Sequence, residues 1–129
     1  MLNLYINERR IEDVTVLDLR GRIRITGGVR GLHKSICCLV EEGKTRILLN
    51  LSQVTHIDSS ALDELVASRI TVRNKGGEIK LLHRIEQMRE VVSTANLSEA
   101  FDIYNDEYDA IASFKREVLR VAKPLPSVV

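Results

Sequence analysis

The chain has 129 residues, within the usual size range of one domain, and 44% of them are apolar, which is enough for a core. Its 19 basic and 18 acidic residues nearly cancel, so nucleic-acid binding through a general basic field is not expected. No apolar run approaches the roughly 18 residues that span a bilayer, and the N-terminal MLNLYINERR lacks the pattern of a secretory signal. Association with a membrane is therefore not expected.

The first third of the chain predicts two strands and a helix. Residues 2–6 alternate loosely and suit an edge strand, whereas Val14–Leu19 has two largely apolar faces and predicts a second strand. Thr26 then precedes two glycines and is expected to cap a helix that runs to about Glu42. The apolar stripe of this helix consists of Val29, Leu32, Ile36, Leu39 and Val40.

Two cysteines, Cys37 and Cys38, are adjacent on the predicted helix. Neighbouring cysteines cannot join distant segments, and a disulfide between them would be strained. We interpret them as reduced thiols, at least one of them buried, rather than as a redox pair. Reduced thiols indicate a cytoplasmic protein.

The middle of the chain predicts the centre of a sheet. Arg46–Leu51 contains consecutive apolar residues, which is typical of a strand covered on both faces. We expect this strand to end near Ser52 and residues 53–58 to cross to a helix that spans about Ser60–Asn74. The apolar positions of that helix are Leu62, Leu65, Val66 and Ile70.

The last third predicts two further strands, each followed by a helix. Glu78–Leu82 is the first of these strands, and the helix after it has apolar positions at Ile85, Met88, Val91 and Val92. Phe101–Tyr104 can form a fifth strand, and Asp106 can cap a final helix. The alternation of strands and helices favours an α/β fold, a mixed sheet of four to five strands with about four helices packed on it.

The chain shows no internal repeat or linker. Pro124 and Pro126 end regular structure, so residues 123–129 are expected to form a flexible C-terminal tail. Residues 1–122 are therefore predicted to be a single domain.

An acid and two hydroxyls, Asp58, Ser59 and Ser60, stand where the central strand meets the second helix. In one interpretation they only cap the helix, since Asp and Ser are preferred N-caps. In another, the unpaired N–H groups and positive dipole of the first turn make a serine there a good phosphoacceptor. A phosphate would add about −1.5 to −2 charges near Asp63 and Glu64. That charge would repel an acidic partner surface without refolding the chain.

Motifs for catalysis are missing from the sequence. The serines lack the glycines of a nucleophile elbow, the glycines near residue 27 do not form a phosphate loop or a dinucleotide fingerprint, and no residues have metal-ligand spacing. We therefore predict a protein that is not an enzyme and holds no cofactor or metal.

The segment LLNLSQVTHIDSSALDELVASRITVRNKGGEIKLL resembles the core of STAS domains, the family of bacterial anti-sigma factor antagonists. VTVLDLRGRI is similar to the family's second strand and the turn after it, and STANLSEAFDIYNDEYDAIASF to its last strand and helix. The likeness covers roughly residues 10–115. It implies a STAS-like sheet of four or five strands with helices packed mainly on one face.

The resemblance also implies partner switching in bacterial transcription control, typically in a stress response. The unmodified antagonist binds an anti-sigma factor that is also a serine kinase, which frees the sigma factor. The kinase, which binds the ATP, then phosphorylates the serine directly after the aspartate, here Ser59, and a serine phosphatase resets the antagonist. Asp58 matches the adjacent acid and Ser60 the second hydroxyl.

The sequence departs from the family pattern in two places, at residue 61 and in the turn after the second strand. Ala61 stands where the family usually has glycine; alanine favours the helix by up to about 1 kcal/mol, and its methyl is expected to hinder close approach of a partner. Arg22 and Arg24 stand in a turn where the antagonists often carry acids. We hypothesise that Arg24, or Arg22, pairs with a phosphate on Ser59 and masks part of its charge.

The expected docking surface surrounds Ser59, and the chain is expected to be monomeric when free. Its residues are Asp58, Ser60, Arg22, Arg24, Thr26, Asp63, Glu64 and Arg69. The charged helix residues can equally be ordinary solvated surface. An alternative function is a STAS scaffold module of a signalling or transporter assembly, without reversible phosphorylation. A serine-dependent enzyme would need a base near Ser59, and the sequence does not offer a convincing one.

Overall fold

A computed structural model describes the backbone of residues 4–83 and 100–122 and the side chains of residues 4–83 and 100–115. Within these ranges the strands are β1 (Leu4–Ile11), β2 (Val14–Ile23), β3 (Arg46–Ile57), β4 (Glu78–Leu82) and β5 (Ile103–Tyr104). The helices are α1 (Val29–Glu41), α2 (Ser59–Asn74) and α3 (Glu107–Ala122). The predicted short helix at residues 85–92 and the tail at 123–129 lie outside the described residues.

One mixed sheet forms the centre of the fold, in the order β1-β2-β3-β4-β5. β1 is antiparallel to β2, and every other neighbouring pair is parallel. This confirms the predicted mixed α/β architecture. Because β2 and β3 are parallel, their carboxyl ends meet at one edge, where Ile23 pairs with Ile57.

Side chains alternate between the two faces of the sheet, so a single strand contributes to two cores. Ile47 and Leu49 of β3 belong to the larger buried cluster, which α1 and α2 cover. Leu48, between them, belongs to a second cluster with Val16 of β2 and Phe114 of α3. Two of the three helices in the described ranges therefore lie on one face, as the resemblance implied.

The strands extend further than the apolar pattern predicts. β1 continues to Ile11, β2 to Ile23 and β3 to Ile57, although the added residues are largely polar. Their backbones pair across the sheet, with two irregularities in register between β2 and β3. Backbone pairing does not require apolar side chains, so the strands carry the chain up to the join at residue 58. Within the described residues, no helix is long and apolar enough to cross a membrane.

Candidate functional site

Asp58 connects β3 to α2 and is the N-cap of that helix. Its Oδ1 accepts a hydrogen bond from the Ala61 N–H at 2.8 Å. Its Oδ2 accepts a second one from the Ile25 N–H at 3.3 Å, and its own N–H donates to the Ile23 carbonyl oxygen at 3.2 Å. One residue therefore fixes the start of α2 and ties it to the loop that follows β2.

That loop, residues 24–28, is closed by its own backbone. The Arg24 N–H donates to the Gly27 carbonyl oxygen at 3.0 Å, and the Gly27 N–H donates back at 3.1 Å. The Val29 N–H, at the start of α1, also donates to the Arg24 carbonyl oxygen at 3.2 Å. The loop is thus a compact turn held beside Asp58.

The prediction that Thr26 caps α1 is wrong. The N-cap is Gly28, with φ 85° and ψ −56°, and no side chain forms a hydrogen bond at this cap. A residue with a Cβ rarely adopts this conformation, so the turn requires glycine rather than a hydroxyl. Thr26 is exposed in the loop.

Ser59 and Ser60 occupy the first turn of α2, and both are exposed. Because Asp58 takes the Ala61 N–H, the N–H groups of the two serines remain as first-turn donors without an intrahelical acceptor. A phosphate on Ser59 would lie at the positive end of the helix dipole. The geometry that a phosphoacceptor requires, an accessible hydroxyl at a helix start, is therefore present.

Ala61 is fully buried in the larger core cluster. The expectation that its methyl hinders close approach of a partner is therefore wrong, because the methyl faces the sheet and not the surface. The same burial means that alanine contributes apolar contact where glycine would contribute none.

The exposed residues of α2 include Ser59, Ser60, Asp63, Glu64 and Ile70. Positions four apart lie one above the other on a helix, which places Asp63 over Ser59 and Glu64 over Ser60. Ile70 follows Asp63 by seven residues, two helical turns, and 55% of it is exposed. The two predicted acids and the serines therefore share one surface.

Arg69 lies elsewhere on α2 and is paired within the chain. Its Nε donates to Glu78 Oε1 at 2.8 Å and its Nη2 to Glu78 Oε2 at 3.2 Å. It also donates to the Ala100 carbonyl oxygen and lies 5.6 Å from the centroid of the Phe101 ring. Burial acts to raise the pKa of Glu78, but hydrogen bonds from Arg69 and from the Ile79 N–H hold it below its ordinary value. Arg69 links α2 to β4, so its role in partner binding stays a prediction without support from its position.

Arg22 and Arg24 differ from Arg69 in their surroundings. Arg22 is exposed. Arg24 is half-buried, and both of its neighbours in the chain, Ile23 and Ile25, form hydrogen bonds with Asp58. Among the side chains that the structure describes, neither arginine forms an ion pair with a carboxylate. Arg22 at the end of β2 and Arg24 on the loop are therefore two positive charges without an ion pair among the described side chains.

The groups at this site are a carboxylate, two hydroxyls and two guanidinium groups. Among the described residues, no group of His, Cys, Asp and Glu side chains could hold a metal ion. An exposed hydroxyl beside the free N–H groups of a helix start is a position where an anion can be stabilised by the backbone.

Residues 5–110 of the chain match the family model for the STAS domain. The chain belongs to the STAS domain family. Over 111 residues it is 23% identical to BtrV of Bordetella bronchiseptica, which bears the provisional name of anti-sigma factor antagonist; the match covers 86% of this chain and 95% of that protein. The family membership confirms the resemblance found in the sequence.

Solved structures share the fold of this STAS domain. An anti-sigma factor antagonist from Mycobacterium paratuberculosis gives a TM-score of 0.72 at 20% identity, with 87% of this chain and 94% of that chain covered. The Bacillus cell fate determinant SpoIIAA, solved in its phosphorylated form, gives a TM-score of 0.61 at 20% identity, with 84% and 98% covered. At these identities the likeness establishes a common fold.

Sequence reasoning missed two contributions to the site of this STAS domain. Ile25 supplies a backbone N–H to Asp58, and no side-chain pattern reports a backbone donor. Ile70 was assigned to the core stripe, but it lies on the exposed face of α2. Its spacing of seven residues from Asp63 is the signal that could have placed it there.

Proposed function

We propose that this STAS domain is an anti-sigma factor antagonist whose binding is switched off by phosphorylation of Ser59. The observation that carries the proposal is the exposed Ser59 at the N-terminus of α2, directly after a capping aspartate. The names of the relatives and the phosphorylated form of SpoIIAA support the same role.

The physical basis of the switch is local electrostatics. A phosphate adds about −1.5 to −2 charges on a surface that already contains Asp63 and Glu64. Within this chain the helix N-terminus and the neighbouring arginines offset that charge, so the fold is retained. A partner that docks on the exposed face of α2 gains no such compensation and must desolvate the phosphate to bind.

The proposed partners are an anti-sigma factor that is also a serine kinase, and a serine phosphatase that restores the free hydroxyl. ATP is bound by the kinase, and the antagonist supplies only the acceptor. In this role the chain acts in the bacterial cytoplasm as a regulatory binding protein rather than an enzyme, and it is a monomer when free.

The test uses candidate anti-sigma kinases with radiolabelled ATP and two matched variants. Ser59→Ala should bind the kinase but take no phosphate, whereas Ser60→Ala, one residue further on the same exposed turn, should be phosphorylated like the wild type. Ser59→Asp should bind more weakly, although one carboxylate imitates a phosphate incompletely. A chain that binds its partner yet takes no phosphate at Ser59 from any candidate kinase would instead be the scaffold module.

A further inference from the structure

A second group of reactive side chains lies between α1 and α2, away from Ser59. His33 and Cys37 are four residues apart on α1 and therefore share one face of that helix. His33 Nε2 lies 3.5 Å from Cys37 Sγ, and His33 Nδ1 lies 2.7 Å from the Oγ of Ser68 on α2. Ser68 is buried, and its Oγ also lies 3.1 Å from the Glu64 carbonyl oxygen.

The direction of the hydrogen bonds of His33 depends on which ring nitrogen carries the proton. The Glu64 carbonyl oxygen can only accept, so the single hydroxyl proton of Ser68 is donated to it. With that proton donated to Glu64, Ser68 Oγ accepts from His33 in the tautomer that is protonated at Nδ1. In a neutral imidazole this leaves Nε2 with a lone pair, and that lone pair faces the Cys37 thiol.

We propose that Cys37 is a reactive thiol, activated by His33, and that it is a site of modification by peroxide. A thiolate is the nucleophilic form of cysteine, and an adjacent imidazole that accepts the proton favours it. The fixed Nδ1–H···Oγ bond holds the imidazole ring in the orientation that this proton transfer requires. Cys37 is half-buried, so a molecule as small as hydrogen peroxide can reach it.

The reaction balances as follows. The thiol proton moves to His33 Nε2, and Cys37 sulfur attacks one peroxide oxygen. An S–O bond forms and the O–O bond breaks; the leaving hydroxide takes a proton from the imidazolium and becomes water. The sulfur is oxidised to sulfenic acid, the peroxide is reduced, and His33 returns to its neutral form.

The neighbouring Cys38 provides an internal control. It is exposed, whereas Cys37 is half-buried, and within the described residues Cys38 has no imidazole against its sulfur. If access alone determined reactivity, Cys38 would react faster. If the His33 imidazole determines reactivity, Cys37 reacts faster than Cys38.

The experiment uses the full chain with one cysteine at a time. Cys38→Ser and Cys37→Ser are treated with hydrogen peroxide at neutral pH in the presence of dimedone, which traps sulfenic acid, and labelling is followed by intact mass. We expect Cys37 in the first variant to be labelled about tenfold faster than Cys38 in the second. Equal rates, or a faster Cys38, would overturn the proposal.

A third variant separates activation from structure. His33→Asn in the Cys38→Ser background keeps an amide N–H near the position of Nδ1, so Ser68 retains a donor, but it removes Nε2. Labelling of Cys37 should fall about tenfold. Unfolding would expose Cys37 and accelerate its labelling, so a fall cannot result from loss of structure. An unchanged rate would show that His33 does not activate the thiol.

Discussion

Two aspartates on this STAS domain, Asp58 at the strand–helix join and Asp18 on the α3 side of the sheet, are stabilised by different groups. Within the described residues, the Asp58 carboxylate accepts only from backbone N–H groups, those of Ala61 and Ile25. Asp18 accepts from Arg9 Nε at 2.6 Å and Nη2 at 3.0 Å, and also from the side chain of Asn50 at 2.8 Å. Arg9 in turn reaches Glu107 on α3.

The two regions differ in whether their arginines pair with carboxylates of this chain. The hydrogen bonds from Arg9 lower the pKa of Asp18, and those to Asp18 and Glu107 raise the pKa of Arg9. At the join, backbone N–H groups bind the Asp58 carboxylate, and neither Arg22 nor Arg24 forms an ion pair among the described side chains. On the α3 side, Arg9 pairs with Asp18 and Glu107 and so connects the strands to the helix. At the join, the two arginines could instead pair with an added phosphate.

The largest expected effect on stability comes from the backbone of the loop that follows β2. In Gly28→Ala, the new Cβ would lie 2.9 Å from the Arg22 carbonyl oxygen and 3.2 Å from Leu4 Cβ, at a φ that alanine rarely adopts. Strain and overpacking together should lower the free energy of unfolding by about 2–4 kcal/mol. Chemical denaturation measures this change.

Gly27→Ala is the matched control for that substitution. A Cβ at Gly27 meets no atom within 4 Å, and its φ is not positive. Its stability should stay within about 0.5 kcal/mol of the wild type. If both variants lost equal stability, the loop would not depend on the left-handed backbone conformation of Gly28.

The next effect tests the cap itself. Asp58→Ala removes the acceptor for both the Ala61 and Ile25 N–H groups, and we expect a loss of about 1–2 kcal/mol. Asp58→Asn keeps one acceptor oxygen, which can serve the Ala61 N–H, but its NH2 group cannot accept from the Ile25 N–H, so we expect a smaller loss of about 0.5–1 kcal/mol. Similar losses in the two variants would mean that the hydrogen bond from the Ala61 N–H, which asparagine can keep, contributes little to the join.

The order of elements and the Asp58 cap could be predicted because apolar periodicity and capping are local properties of the sequence. The extension of β3 from Ser52 to Ile57 could not, since it depends on pairing with a polar stretch of β2 more than thirty residues earlier. The pairing of Arg69 with Glu78 could not be predicted from the sequence either, because the fold determines which side of α2 faces β4.

The site was predictable in its central residues and not in its surroundings. Ser59 and its capping neighbour follow from residue type and position at a helix start. The prediction that at least one of the two cysteines is buried is wrong, since Cys37 is half-buried and Cys38 is exposed. Cys37 lies at the edge of the contact between α1 and α2. Helical spacing gives the side of a helix but not the depth of its packing.

A smaller effect should distinguish Asp18 by its response to acid. Its pKa lies below the ordinary value of 3.8, so its stabilising contribution is complete above about pH 5 and is lost as the pH falls through the lowered pKa. Asp18→Asn should therefore cost about 1 kcal/mol at pH 7, discounted for partial exposure, and progressively less as the pH falls through the lowered pKa. Urea unfolding at several pH values tests this, and a cost that stays constant across the range would contradict it.

The smallest expected effect concerns the uncompensated charge at the join. If Arg24 pairs with a phosphate on Ser59, the phosphorylated chain should lose its phosphate faster in Arg24→Ala, by about threefold, and faster still in Arg24→Asp. A non-specific phosphatase is the appropriate reagent, because it does not depend on a docking surface that these variants change. Arg22→Ala, at the exposed end of β2, shows whether the second arginine shares the role. Unchanged rates in both Arg24 variants would eliminate this pairing, and the anion would then be held by the backbone of α2, as Asp58 is.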